Sequence, residues 1–86
     1  MLVSYHISKD DVLAFIQVAR SVKDRGLNYT AENNLLMENG FYSSLIEHFG
    51  SLHSAKEYFT SHLSEFSGES GGMYLVIGFI ERLMNR

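Results

Sequence analysis

The sequence predicts an all-α fold, a compact bundle of four to five short helices, on three observations. Apolar residues recur at helical spacing in five successive segments. The first three segments each stop at a glycine, Gly26, Gly40 and Gly50, where a C′ residue in the left-handed conformation belongs. There is no proline among the 86 residues, so the chain lacks the φ-locked breaker that punctuates loop-rich and extended segments. An alternative is an α+β fold with a small two-stranded ribbon from residues 2–7 and 73–77. Val3, Tyr5 and Ile7 alternate with Leu2, Ser4 and His6, and the apolar run from Met73 to Ile77 suits a buried strand as well as a helix. A lone ribbon is only marginally stable, and Glu81 to Met84 reads as helix, which keeps all-α ahead.

The first helix is expected from Lys9 to Arg25, with Ser8 as N-cap and Asp11 three residues on as a short capping-box partner. Its stripe is Val12, Phe15, Ile16, Ala19 and Val22. Asp10 and Asp11 sit at the positive end of the helix dipole, and Arg20, Lys23 and Arg25 lie toward the negative end. Thr30 is the expected cap of a second helix through Ala31, Leu35 and Leu36, which stops at Asn39-Gly40. Phe41, Leu45 and Phe49 make the face of a third helix, with Tyr42 and Ile46 beside it. Ser54-Ala55-Lys56-Glu57 reads as the capping box of a fourth helix, whose stripe is Leu52, Ala55, Phe59, Leu63 and Phe66. Ser67 to Gly72 reads as a flexible Gly/Ser hinge at 67–72 inside a single helical domain spanning 1–86. The last helix, Met73 to Arg86, is apolar around about 200° of its circumference. Met73, Val76, Ile80, Leu83 and Met84 form one side and Leu75 and Phe79 widen it, so the helix is either central or supplies an oligomer interface.

Composition removes most site chemistry. With no cysteine, disulfide frameworks, thiolate metal sites and thiol catalysis are excluded. The formal charge is −3, from 7 basic and 10 acidic residues, which disfavours a nucleic-acid duplex as the main partner because phosphates are held largely by Lys and Arg. The alternative of a small DNA-binding regulator rests on the basic end of the first helix, Arg20, Lys23 and Arg25, charges that a helix C-terminus also explains. The longest apolar run, Met73 to Ile80, is far short of the roughly 20 residues that span a bilayer. Residues Met1 to His6 lack the basic and apolar regions of a secretory signal. A cytoplasmic location without membrane association is therefore expected.

His53 and Glu57 lie one helical turn apart and could share a divalent cation, yet two ligands do not make a site. The expectation is no metal, no cofactor and no catalytic residue. His62, at the border of the apolar stripe, is expected half-buried and bonded to a backbone carbonyl. Ser44-Leu45 at a helix start resembles the loaded serine of an acyl carrier, but Tyr42 and Ser43 stand where that family places an acidic residue.

What remains is recognition of protein. Size, acidity and helicity are similar to those of bacteriocin immunity proteins and small phage-encoded inhibitors, without the paired-tyrosine signature of the nuclease-immunity group. This resemblance implies a small non-enzymatic inhibitor or accessory protein that binds a partner protein, one with a basic surface given the acidic excess. Tyr42, Tyr58 and Tyr74 with Glu57 and Glu65 are the candidate partner-binding residues, because tyrosine supplies rigid contact area with a polar tip. Leu75 and Phe79 are the candidate oligomer interface, for a homodimer through the last helix.

Overall fold

The computed structural model describes residues 7–86. Over these residues the chain forms α1 (Lys9–Asp24), α2 (Tyr29–Glu38), α3 (Phe41–Phe49), α4 (Leu52–Ser61), a 3₁₀ segment (Leu63–Glu69) and α5 (Ser70–Met84). The fold is all-α. Residues 73–77 lie inside α5, so the ribbon loses one of its strands. Most of its other strand, residues 2–6, lies outside the described residues.

Local signals set most boundaries. Ser8 caps α1 in a reciprocal box: its hydroxyl accepts from the Asp11 N–H at 3.1 Å, and the Asp11 carboxylate accepts from the Ser8 N–H at 3.0 Å. The expected stripe of α1 is the set of residues it buries, Val12, Phe15, Ile16, Ala19 and Val22. Gly26, Gly40 and Gly50 all have positive φ, from 66° to 88°. Gly40 and Gly50 bracket α3, where only a residue without a Cβ makes both reversals cheaply.

Four expectations are corrected. The cap of α2 is Asn28 rather than Thr30, its side chain accepting from the Ala31 N–H at 2.9 Å. Both residues are good caps, and the shorter turn after Gly26 selects the earlier one. The cap of α4 is likewise Ser51, which accepts from the Ser54 N–H at 3.1 Å. Glu57 therefore lies beyond the first turn and reaches His53 instead of a cap N–H. The stripe continuing to Phe66 belongs to two elements, since α4 stops at Ser61 and the chain tightens to 3₁₀. Phe66 breaks the helix with φ −122° and ψ 44° while staying buried, so one side chain reaches the core as the backbone turns into α5. Finally, the Gly/Ser stretch at 67–72 is written into the 3₁₀ segment and the first turn of α5 rather than into an irregular linker.

α5 is the central element and packs on both α1 and α4. Phe15 is the aromatic hub of the core, 5.8 Å from Phe41, 6.0 Å from Phe59 and 6.4 Å from Phe49, mostly edge-to-face. Phe41 in turn meets Phe79 at 6.4 Å, so a single ring network joins α1, α3, α4 and α5. The crossing of α1 on α5 is tight at Gly72, which is buried; a Cβ built there would run into the Ile16 γ2 methyl. Glycine inside a helix costs up to about 1 kcal/mol against alanine, and here, in the first turn of α5, the close approach of two helices offsets it.

Candidate functional site

The outer side of α5 carries Tyr74, 62% exposed on a helix whose other large apolar residues up to Leu83 are mostly buried. Gly71 and Gly78 stand one turn to either side. Both are exposed, with helical backbone and nothing within 4 Å of an added Cβ. Neither φ nor packing within the chain asks for glycine at these two positions, and the propensity cost of Gly78 in mid-helix goes uncompensated inside the chain. Farther along the strip, Glu81 pairs with Lys56 of α4 at 3.5 Å. The result is a low, open strip with one aromatic ring standing out of it and a charged end.

The other expected residues lie away from this strip or pair locally. Tyr58 is half-buried on the α3 side of α4, 5.1 Å from Phe49 and stacked on His62 at 4.0 Å. Burial, and after it the charge of Glu65, pushes its phenol pKa up. Lys56 marks the α5 side of α4, so Tyr58 and Tyr74 occupy opposite flanks of that helix. Tyr42 lies under the Arg86 guanidinium, 5.3 Å from the ring centre. Glu57 pairs with His53 at 3.2 Å, both largely exposed, and Glu65 lies 3.5 Å from His62. Of the five residues expected to bind a partner, Tyr58 and Glu65 meet through His62, whereas Tyr74 stands on the other flank of α4. Leu75 is half-buried, and Phe79, expected at an oligomer interface, is 2% exposed between Phe41 and Arg82. The 200° apolar arc of α5 is consumed inside the bundle, which is why this side chain has no outer surface to offer.

Histidine and basic residues are placed by the same local logic. His62 is half-buried, its Nδ1 2.8 Å from the Tyr58 carbonyl oxygen, as its position at the stripe border implies. No third ligand joins His53 and Glu57 among the described residues. Arg20 of the basic cluster is held by Glu69 at 3.1 Å. Ser44, His48 and Asp11 line one hollow, but no hydrogen bond links them, and the Asp11 carboxylate is occupied by its cap. The Ser8 backbone N–H, and after it the Ser8 hydroxyl, hold the Asp11 carboxyl below the usual carboxylate range.

Sequence reasoning missed a buried ion pair. Glu32 of α2, its side chain 3% exposed, meets Arg82 of α5 at 2.8 Å. The Arg82 guanidinium also lies 4.4 Å from the Tyr29 ring centre and 4.8 Å from that of Phe79. A signal existed: Glu32 precedes Leu36 by four residues and so shares the apolar face of α2. The pair fixes the short, weakly amphipathic α2 against α5, since a charge so enclosed tolerates one partner geometry.

No helix among the described residues is long and apolar enough to cross a membrane. The chain matches no protein-family model, no curated protein and no solved structure.

Proposed function

We propose that this chain is a non-enzymatic, cytoplasmic protein-binding module that takes a helix of a partner protein along the outer strip of α5. The observation that carries the reading is Tyr74 exposed between Gly71, in the first turn of α5, and Gly78, in mid-helix, two glycines that nothing inside the chain requires. Small residues on either side of a large ring let a second backbone approach closely while the ring inserts beside it, the arrangement of an aromatic anchor in an interface centre. The net charge of −3 favours a partner helix with a basic surface. An inhibitory or accessory role, of the kind met in small immunity-type and phage-type proteins, agrees with this absence of built chemistry around the strip.

The test is affinity capture from cells of the organism that encodes the chain, run in parallel with the parent, Tyr74→Ala and Gly78→Leu, with the captured proteins identified by mass spectrometry. A protein held by the parent and lost from both variants is the expected result. Identical captured sets for all three, with helical content unchanged, would overturn the assignment of this strip.

A further inference from the structure

The corner between α2 and α3 is the one Asn-Gly step of the chain, Asn39-Gly40. Asparagine is among the thermolabile residues, and its main hazard is the main-chain nitrogen that follows it. The other four asparagines, Asn28, Asn33, Asn34 and Asn85, precede tyrosine, asparagine, leucine and arginine, whose side chains screen that nitrogen. At Gly40 the screen is missing. Asn39 is exposed, and both residues border the solvent-open hollow beside α1.

The peptide unit joining the two residues is also free to turn. Among the described residues neither the Asn39 C=O nor the Gly40 N–H makes a hydrogen bond. The bonds lie on either side of it: the Asn39 N–H donates to the Leu35 carbonyl at 2.8 Å, and the Ser44 N–H to the Gly40 carbonyl at 2.8 Å. A flip of this single unit turns ψ of Asn39 from 3° and φ of Gly40 from 88° in opposite senses and leaves both helices in place. A residue without a Cβ admits that swing. The bond given up is the one from the Phe41 N–H to the Asn39 Oδ1, 3.0 Å long. The flip brings the Gly40 nitrogen to the Asn39 side-chain carbonyl carbon, so a local opening of the corner suffices.

We infer that Asn39-Gly40 is a self-modifying site, at which the folded chain converts its own asparagine to aspartate and isoaspartate and loosens α3 as isoaspartate accumulates. The Gly40 nitrogen bonds to Asn39 Cγ and gives its proton to solvent. The Cγ–Nδ2 bond breaks, and the amide nitrogen leaves as ammonia after taking up a proton. Water then adds to one carbonyl of the cyclic imide and breaks its bond to the Gly40 nitrogen. Opening at Cγ gives aspartate, whereas opening at the main-chain carbonyl gives isoaspartate and a main chain longer by one carbon. Aspartate keeps an acceptor for the Phe41 N–H at the start of α3, where negative charge is favoured. Isoaspartate lengthens the tie to α2 and displaces Phe41, which is buried against Phe15 and Phe79.

The test is incubation of the folded parent at mildly alkaline pH, in buffer and in urea below the unfolding transition. Tandem mass spectrometry of the tryptic peptide 26–56 then locates the new acid and separates isoaspartate from aspartate. Asn39 is expected to convert roughly tenfold faster than any other asparagine, at a rate nearly flat in urea. A reaction that waits on global unfolding would instead speed up about fivefold per molar of urea. Asn39→Ser offers the Phe41 N–H a hydroxyl and has no amide to attack, so its melting temperature should hold through the incubation while the parent's falls by several degrees. An Asn39 that stays intact in the folded chain while the unfolded chain reacts overturns the inference, as does a rate that climbs steeply with urea. Conversion led by another asparagine, or an isoaspartate-bearing chain that melts as the fresh one does, overturns it equally.

Discussion

Replacing Gly72 by alanine should destabilise the chain, against the ordinary preference of helices. Alanine is better than glycine in a helix interior by about 1 kcal/mol. At Gly72, however, the new methyl would overlap the Ile16 γ2 methyl, and Ile16 is only 2% exposed, so it has no free space to move into. The next neighbours, Nη2 and Nε of Arg20, lie 3.2 and 3.3 Å from the new atom and can shift, at the expense of the pair with Glu69. Overpacking of this kind costs about 1–3 kcal/mol, which leaves a net loss of up to about 2 kcal/mol after the propensity gain. For a domain this size each kcal/mol moves Tm by about 4–8 °C. Thermal and urea unfolding followed by circular dichroism should therefore show a fall in Tm of up to about 15 °C. Gly78→Ala is the control, because its Cβ meets nothing, and it should stabilise by about 0.5–1 kcal/mol. Ile16→Leu removes the γ2 methyl, so a double-mutant cycle with Gly72→Ala should return roughly 1 kcal/mol of coupling. If Gly72→Ala proves as stable as Gly78→Ala, the tight crossing of α1 and α5 is wrong.

Further outcomes follow from the same contacts. Arg82→Ala should cost about 3 kcal/mol by leaving the Glu32 carboxylate buried without its partner, whereas the Glu32→Leu/Arg82→Leu double variant should recover most of that loss in urea unfolding. Phe79→Glu should unfold the chain, seen as loss of helical circular dichroism, rather than dissociate a dimer, because its side chain sits in the ring network. The Asp11 carboxyl, held below its unfolded value of about 3.9, contributes stability that is full above that pH. This contribution is lost as pH falls through the folded value. Asp11→Asn should flatten the acid limb of the stability curve, and an acid limb identical to the parent's would refute the role of the cap.

Helix faces were largely legible in the sequence, because a buried stripe repeats every three or four residues and needs no knowledge of what it packs against. Val12, Phe15, Ile16, Ala19 and Val22 are the clearest example. The left-handed glycines were legible too, since few other residues tolerate that φ. Caps were less so: Asn28 and Thr30, or Ser51 and Ser54, offer the same chemistry two or three residues apart, and only the tertiary path chooses between them. The Gly/Ser stretch misled because glycine signals both a loop and a close helix crossing. Which of these applies at Gly72 depends on Ile16, 56 positions earlier. The candidate surfaces were the least legible. A sequence marks Tyr58 and Tyr74 alike, and only the packing of α3 and α5 on opposite flanks of α4 separates a half-buried ring from an exposed one.

The Glu32 to Arg82 clamp also bears on how this chain can diverge. Losing either charge alone leaves the other enclosed, whereas losing both is far cheaper, so single-step paths away from the pair are steep and paired replacement is the open route. Tyr29 and Phe79, which flank the guanidinium, would be drawn into the same change. Descendants of this fold should therefore carry the acid and the base together, or two apolar residues in their place, and that concerted choice would mark kinship where the rest of the surface had drifted beyond comparison.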